Sequence, residues 1–224
     1  MSRHLLVFAK APQPGRVKTR LTPEVPPEDA AGLARAFLQD VLTTGERLPD
    51  ADLTLVYAPR GARGSLQALA GPRWRVRVQR GCDLGERLTH AFAARLRSAR
   101  DRVLIVGADS PLLSPERLAE AFTALDRADL VIGPCDDGGY YLIGLRRWVA
   151  GLLSGVRWST TVALADTLAN ARRLRLSCAE LESDYDVDDA RSLARLIEDL
   201  RRLPAERAPF TRAELARQGR WDGA

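Results

Sequence analysis

Val103, Leu104, Ile105 and Val106 form an unbroken apolar run, the pattern of a strand buried on both faces as in a parallel sheet. Gly107 ends the run and lets the backbone turn. Asp109 then stands at the carboxyl end of the strand, the edge where open α/β sheets bind ligands. Downstream, Ser114 is placed to cap a helix, with Pro115 in its first turn and Glu116 near the positive end of the dipole. The same alternation of apolar runs and helical spacing recurs along the chain. Residues 5–10, 52–59 and 129–135 read as strands, and the alternating stretch 74–81 reads as a strand with one wet face at a sheet edge. Ala30, Leu33, Phe37, Val41 and Leu42 share one face of a helix over 29–48. Further helices are predicted over 65–71, 83–99 and 114–126. This succession predicts a doubly wound α/β sheet.

The rhythm breaks at residues 136–145, DDGGYYLIGL, where a turn leads straight into a strand with no intervening helix. That strand is expected to lie antiparallel or offset to the one before it. Gly138 and Gly139 either admit a ligand close to the backbone or serve a positive-φ turn, and Asp136 and Asp137 add acceptors beside them. Ser159 or Thr160 is placed to cap a helix over 162–171, and 173–183 reads as a strand with its exit. Asp184, Asp186, Asp188 and Asp189 then crowd the start of another helix. The helix dipole explains acids there, but four in six residues exceed what one cap needs, and they could complete a divalent site with Asp109. A helix is predicted at 211–218. With no repeat, low-complexity segment or linker, residues 1–224 read as one domain, with 204–224 as a C-terminal extension.

Composition narrows the functional classes. The net charge is +5 and the pI about 9.5. The arginines are scattered and interleaved with acids, so they read as solvated helix faces; anionic small ligands are favoured and nucleic acid is not. No apolar run approaches the ~20 residues of a membrane span. The first apolar run ends at Lys10 and Pro12, which suits a strand better than a signal segment, and a cytoplasmic location is expected. Cys82, Cys135 and Cys178 form no CxxC pair and are expected to be small buried hydrophobes. His4 and His90 lack metal-ligand spacing, and His90 reads as structural.

One compositional detail is sharper. Lys10 and Lys18 are the only lysines, and both flank the loop after the first strand, where α/β proteins hold phosphates. Five prolines stiffen this loop, which also carries Arg16 and Arg20. A loop pairing lysine point charges with arginine forks suits a polyphosphate; the plainer alternative is a solvated basic loop. Neither GxxxxGK[ST] nor GxGxxG occurs. Asp109 is a candidate metal ligand, the plainer alternative being a turn cap.

Together AKAPQPGRVKTRL, GADSPLL, DDGGYYLIGL, RWST at 157–160 and DVDDARSL resemble a family of bacterial glycosyltransferase-A-type transferases, many of them labelled with arsenosugar biosynthesis. The resemblance covers about residues 3–200, with the motifs in the same order. More remotely, the layout is similar to nucleotidyltransferases that make molybdenum-cofactor dinucleotides and to 2-phospholactate guanylyltransferases. The resemblance implies a three-layer α/β fold of the nucleotide-diphospho-sugar transferase (GT-A-like) type, a mostly parallel sheet with helices on both faces and an antiparallel insertion. It implies that Lys10, Arg16, Lys18 and Arg20 hold nucleotide phosphates, with Lys18 and Asp109 as the catalytic residues. It further implies that Asp109 binds Mg²⁺ or Mn²⁺ with Asp186 or Asp188, and that Asp137, Gly138, Gly139 and Tyr140 line the donor or acceptor pocket. DVDDARSL departs from the relatives' DxDTPEDL in lacking TPED, a change at the helix entry. The implied partners are a nucleotide or nucleotide sugar and a small-molecule acceptor. Two chemistries fit. Glycosyl transfer breaks a sugar–phosphate bond; nucleotidyl transfer attacks an α-phosphate and releases pyrophosphate, which three loop cations would suit. A nucleotide-binding protein without turnover is a third reading.

Overall fold

The computed structural model describes residues 1–221; the last three residues of the 204–224 extension lie outside the described residues. The apolar runs become the strands of one sheet. These are β1 (Ser2–Lys10), β2 (Ala51–Ala58), β3 (Arg75–Val78), β4 (Asp101–Gly107), β5 (Leu130–Pro134), β6 (Tyr140–Leu145) and β7 (Cys178–Glu180). Their order is β3-β2-β1-β4-β6-β5-β7. All pairings are parallel except those of β6, which runs antiparallel to both β4 and β5. The missing helix before residue 140 therefore has a direct consequence: β6 is the antiparallel insertion. The alternating strand β3 lies at one edge of the sheet, as expected, and β7 at the other.

Alternation sorts the strand residues onto two faces. Leu5, Val7 and Leu55 pack with α1 (Pro27–Glu46), α2 (Arg63–Ala70) and α4 (Pro115–Ala124). Leu6, Ile105 and Ile143 pack on the other face with Leu88 and Phe92 of α3 (Leu84–Arg95) and Ala171 of α5 (Ala163–Arg173). This is the three-layer fold. A third cluster joins α1 to the loop residues Leu21 and Val25, to α6 (Ala190–Arg202) and to α7 (Pro209–Arg217).

Several local expectations are corrected. Val162, not Ser159 or Thr160, is the N-cap of α5; the Thr160 hydroxyl accepts the Val162 N–H at 3.4 Å, and Ser159 is left-handed at φ 60°. The stretch 173–183 pairs only over Cys178–Glu180, because α5 runs on to Arg173 and Arg175 turns left-handed at φ 53°. Cys82 and Cys178 are exposed, and only Cys135 is buried. His90 sits in α3 with Nδ1 3.0 Å from the Arg80 carbonyl.

The extension is docked rather than trailing. The buried Asp40 of α1 accepts the Phe210 N–H (3.0 Å), the Thr211 N–H (2.9 Å) and the Thr211 hydroxyl (2.6 Å), satisfying the first turn of α7. Burial pushes the Asp40 carboxyl up to about 6, against the pull of these donors. The folded state therefore holds a proton that the unfolded chain, near 4, has released. Asp40 should contribute most below about pH 4, and that contribution should fall as pH rises through 6. Compared with Asp40→Asn across pH 4–7.5 by urea unfolding, the wild-type advantage should shrink by about 2 kcal/mol. A pH-independent difference would contradict this reading.

Candidate active site

The carboxyl edge of the sheet gathers three acids through one backbone bond. The Val187 N–H donates to the Asp109 carbonyl at 2.9 Å, pinning the segment before α6 against the turn after β4. Val187 is fully buried while its neighbours are part-exposed, so extended alternation turns Asp186 and Asp188 away from the core. The Ser110 hydroxyl donates to Asp186 Oδ1 at 2.6 Å. Burial, then the charge of Asp109, pushes the Asp186 carboxyl up to about 7.

Lys18 sits in the middle of this group. Its Nζ is 2.5 Å from Asp109 Oδ1 and 2.9 Å from Asp188 Oδ1. Its side chain is 4% exposed, while those of Asp109 and Asp188 are 46% and 47% exposed. Burial acts to lower the ammonium's pKa, but the two aspartates outweigh it and hold it above its usual value. The buried Val17 and Leu21 anchor the loop on either side and draw Lys18 inward, with φ at 49°, over the Phe37 ring at 5.6 Å. Lys10, Arg16 and Arg20 face solvent instead. The loop thus separates its cations into one internal counter-ion and three outward charges. Among the described residues, no group of three His, Cys, Asp or Glu side chains is arranged as a ready ligand set.

The DDGG turn is built for the chain's own backbone. Gly138 has φ 84°, and a Cβ there would lie 2.0 Å from the Thr161 carbonyl oxygen. The Gly138 carbonyl accepts the Leu164 N–H at 3.0 Å, and Asp137 Oδ1 accepts the Gly139 N–H at 2.8 Å. The positive-φ turn is therefore the structural reason for Gly138. Gly138→Ala should destabilise the fold by about 1–3 kcal/mol, through both strain and backbone collision, as read by chemical denaturation. An unchanged midpoint would mean that the 157–161 loop moves freely. Tyr140 packs edge-on against Trp158, ring centroids 6.3 Å apart, in the α3–α5 layer, and burial pushes its phenol up. Asp136 is claimed by Arg195 at 2.6 Å and by the Ser183 hydroxyl at 2.9 Å, and the Arg195 guanidinium lies 3.8 Å over the Tyr185 ring. This brace joins the turn to α6. Asp189 is the N-cap of α6 in a capping box with Ser192, so the altered helix entry is well capped.

Sequence reading missed Ser110, Arg195 and the counter-ion role of Lys18. Ser110 was findable as the hydroxyl beside Asp109; Arg195 carried no signal, being one of many arginines on a helix.

A mostly parallel seven-stranded sheet with one antiparallel insertion between helices is a nucleotide-diphospho-sugar transferase-like fold, and the chain is a transferase. Residues 41–160 match the family described as "uncharacterized protein conserved in bacteria (DUF2064)", and the chain belongs to that family. It is 36% identical to a candidate nucleotide-diphospho-sugar transferase of Desulfovibrio desulfuricans G20, over 98% of this chain and 96% of that one, with a TM-score of 0.90. It is 29% identical over 186 residues to the 2-phospho-L-lactate guanylyltransferase of Methanothermobacter thermautotrophicus, covering 80% of this chain and 78% of the relative. CMP:2-keto-3-deoxy-manno-octonic acid synthetase, solved with CTP, shares the fold at 10% identity, over 91% of this chain and the whole of that one, with a TM-score of 0.58. The resemblance to this superfamily is borne out. No described helix is long and apolar enough to cross a membrane.

Proposed function

We propose that this chain is a metal-dependent transferase using a nucleotide-activated donor, moving a glycosyl group from a nucleotide sugar to a small acceptor. The observation that carries the reading is the convergence of Asp109, Asp186 and Asp188 at the carboxyl edge beside a stiff loop with outward cations. Asp109 and Asp188 already outnumber the one ammonium, Asp186 adds negative charge as it ionises, and hard oxygen donors suit Mg²⁺ or Mn²⁺. Asp109 with Asp186 or Asp188 would hold such an ion, with Lys18 giving way from the oxygens it now contacts. When bound, the ion supplies charge neutralisation for the departing nucleotide phosphate.

The chain's own residues do the rest. Arg16 and Arg20 offer guanidinium forks, and Lys10 a point charge, to phosphate oxygens from a loop that prolines hold rigid. Lys18 keeps Asp109 and Asp188 together before ligands arrive. Ser110 orients the Asp186 carboxyl through its hydrogen bond. Positioning then supplies much of the acceleration, since the leaving group departs as a stable anion.

Nucleotidyl transfer is the second reading, favoured by the likeness to a guanylyltransferase over four-fifths of the chain. With Lys18 turned inward, the loop presents fewer cations to a triphosphate, which favours the glycosyl reading. A thermal-shift panel of nucleotide sugars and nucleoside triphosphates, each with and without Mg²⁺ and Mn²⁺, selects the donor; product analysis follows. A metal-dependent shift with a nucleotide sugar and release of a nucleotide support glycosyl transfer. Pyrophosphate release would overturn it in favour of nucleotidyl transfer.

A further inference from the structure

At the opposite edge of the sheet lies a second cluster of charge that the proposed transfer leaves unused. The strand register sets it up. His4 pairs with Asp52, Thr54 with Arg75, and Val56 with Arg77, so these side chains share the face that carries α3. On the other face Trp74 and Val76 are buried beneath α2. On the α3 face Arg75 and Arg77 are exposed. The carboxyl end of α3 brings Arg95 onto the same patch, and Arg97 follows it.

The acids there are already committed. Asp101 Oδ2 accepts the Arg97 and Ser98 N–H groups at 2.9 and 2.7 Å, and its Oδ1 faces His4 Nε2 at 3.5 Å. Asp52 lies between His4 Nδ1 (3.6 Å) and Arg75 (3.5 Å). Among the described residues, Arg77, Arg95 and Arg97 have no carboxylate partner. Their guanidiniums donate only to neutral oxygens: the Val76 carbonyl, the Thr54 hydroxyl and the Ala94 carbonyl. Burial, then the neighbouring charge of Arg75, lowers the Arg95 pKa against the pull of Asp52, with Arg77 and Arg97 acting in the lowering direction. An open depression of about 380 Å³ lies beside Arg95 and Arg97, bordered also by His4, Ala94, Ser98 and Asp101, with Arg75 and Arg77 outside its border. Guarding an edge strand against pairing would explain Arg75 and Arg77. It does not explain Arg95 and Arg97, which come from α3 and the loop beyond.

We propose that this face is a second anion site, taking a small molecule that carries two or more phosphate groups. Guanidinium forks match phosphate oxygens in pairs, and a bound polyanion would relieve the crowding of like charge. The site is separate from the carboxylate edge and does not depend on the chemistry performed there.

The test is calorimetric titration with tripolyphosphate in metal-free buffer at fixed ionic strength. An Arg16→Ala/Arg20→Ala background removes two of the loop's three outward cations, leaving Lys10. That protein should still bind tripolyphosphate. Adding Arg77→Gln/Arg97→Gln should weaken binding about tenfold or more, since each charged hydrogen bond lost is worth about that factor. Both substituted residues are exposed, so the melting temperature without ligand should not change. Unaltered affinity in the fourfold variant would overturn the proposal. So would loss of all binding in the Arg16→Ala/Arg20→Ala protein, or binding of a single-stranded oligonucleotide in preference to tripolyphosphate.

Discussion

Replacing Asp109 and Asp188 together by asparagine should destabilise the fold more than replacing Lys18 by methionine. The asymmetry follows from where the charges lie. The ammonium is 4% exposed, whereas the two carboxylates are nearly half exposed. Taking away both carboxylates leaves a buried cation without either of the acids it contacts, a situation that costs about 3–5 kcal/mol. Taking away the ammonium leaves carboxylates that water can reach, and a methionine stem can rest over the Phe37 ring as the lysine does. That change should cost only about 1 kcal/mol. Each single aspartate variant should fall well short of half the double-variant loss, because the remaining carboxylate still pairs with Lys18. Urea unfolding of the four variants in metal-free buffer measures all of this. If Lys18→Met proves the more damaging change, Lys18 is not the internal counter-ion.

The same residue shows where sequence reading stopped. Its loop was identified from the prolines and from its place after the first strand, and both hold. The direction of each side chain was not identified, because a loop has no period from which to read a face. Val17 and Leu21 were the available signal: two apolar residues in a polar loop must be buried, and Lys18 goes in with them. Strands were legible where burial on both faces left an unambiguous apolar run, as at Val103–Val106 in the centre of the sheet. The stretch 173–183 misled because RLRLS alternates as a strand does. Leu174 and Leu176 instead pack beneath the α3–α5 layer at the exit from a helix. The crowding of Asp184, Asp186, Asp188 and Asp189 was correctly read as more than one cap. Asp189 alone caps α6, and Asp186 and Asp188 turn toward Ser110 and Lys18. What no pattern along the chain could supply was the pairing of Asp136 with Arg195, 59 residues apart.

That pairing provides the control for the largest effect expected on catalysis. Asp109→Asn keeps the shape of the side chain and the backbone bond to Val187, and Asp188 still holds Lys18. The fold should therefore survive, while the charge at the carboxyl edge of β4 is lost. If Asp109 holds the cation that would neutralise the leaving phosphate, turnover should drop by about 10²-fold or more, the scale of one lost electrostatic contact at a reacting centre. Asp136 opens the turn after β5, but its carboxylate is spent on Arg195 and Ser183. Asp136→Asn should loosen the turn and leave kcat within a few-fold of wild type, since an exposed ion pair contributes about 1 kcal/mol or less. The two variants thus separate an acid that faces the reaction from one that fastens the frame. Once the donor is known, kcat for both, with melting curves to confirm folding, decides the assignment. Near-normal turnover in Asp109→Asn would remove Asp109 from the catalytic role, and a large loss in Asp136→Asn would move the reacting edge toward the DDGG turn.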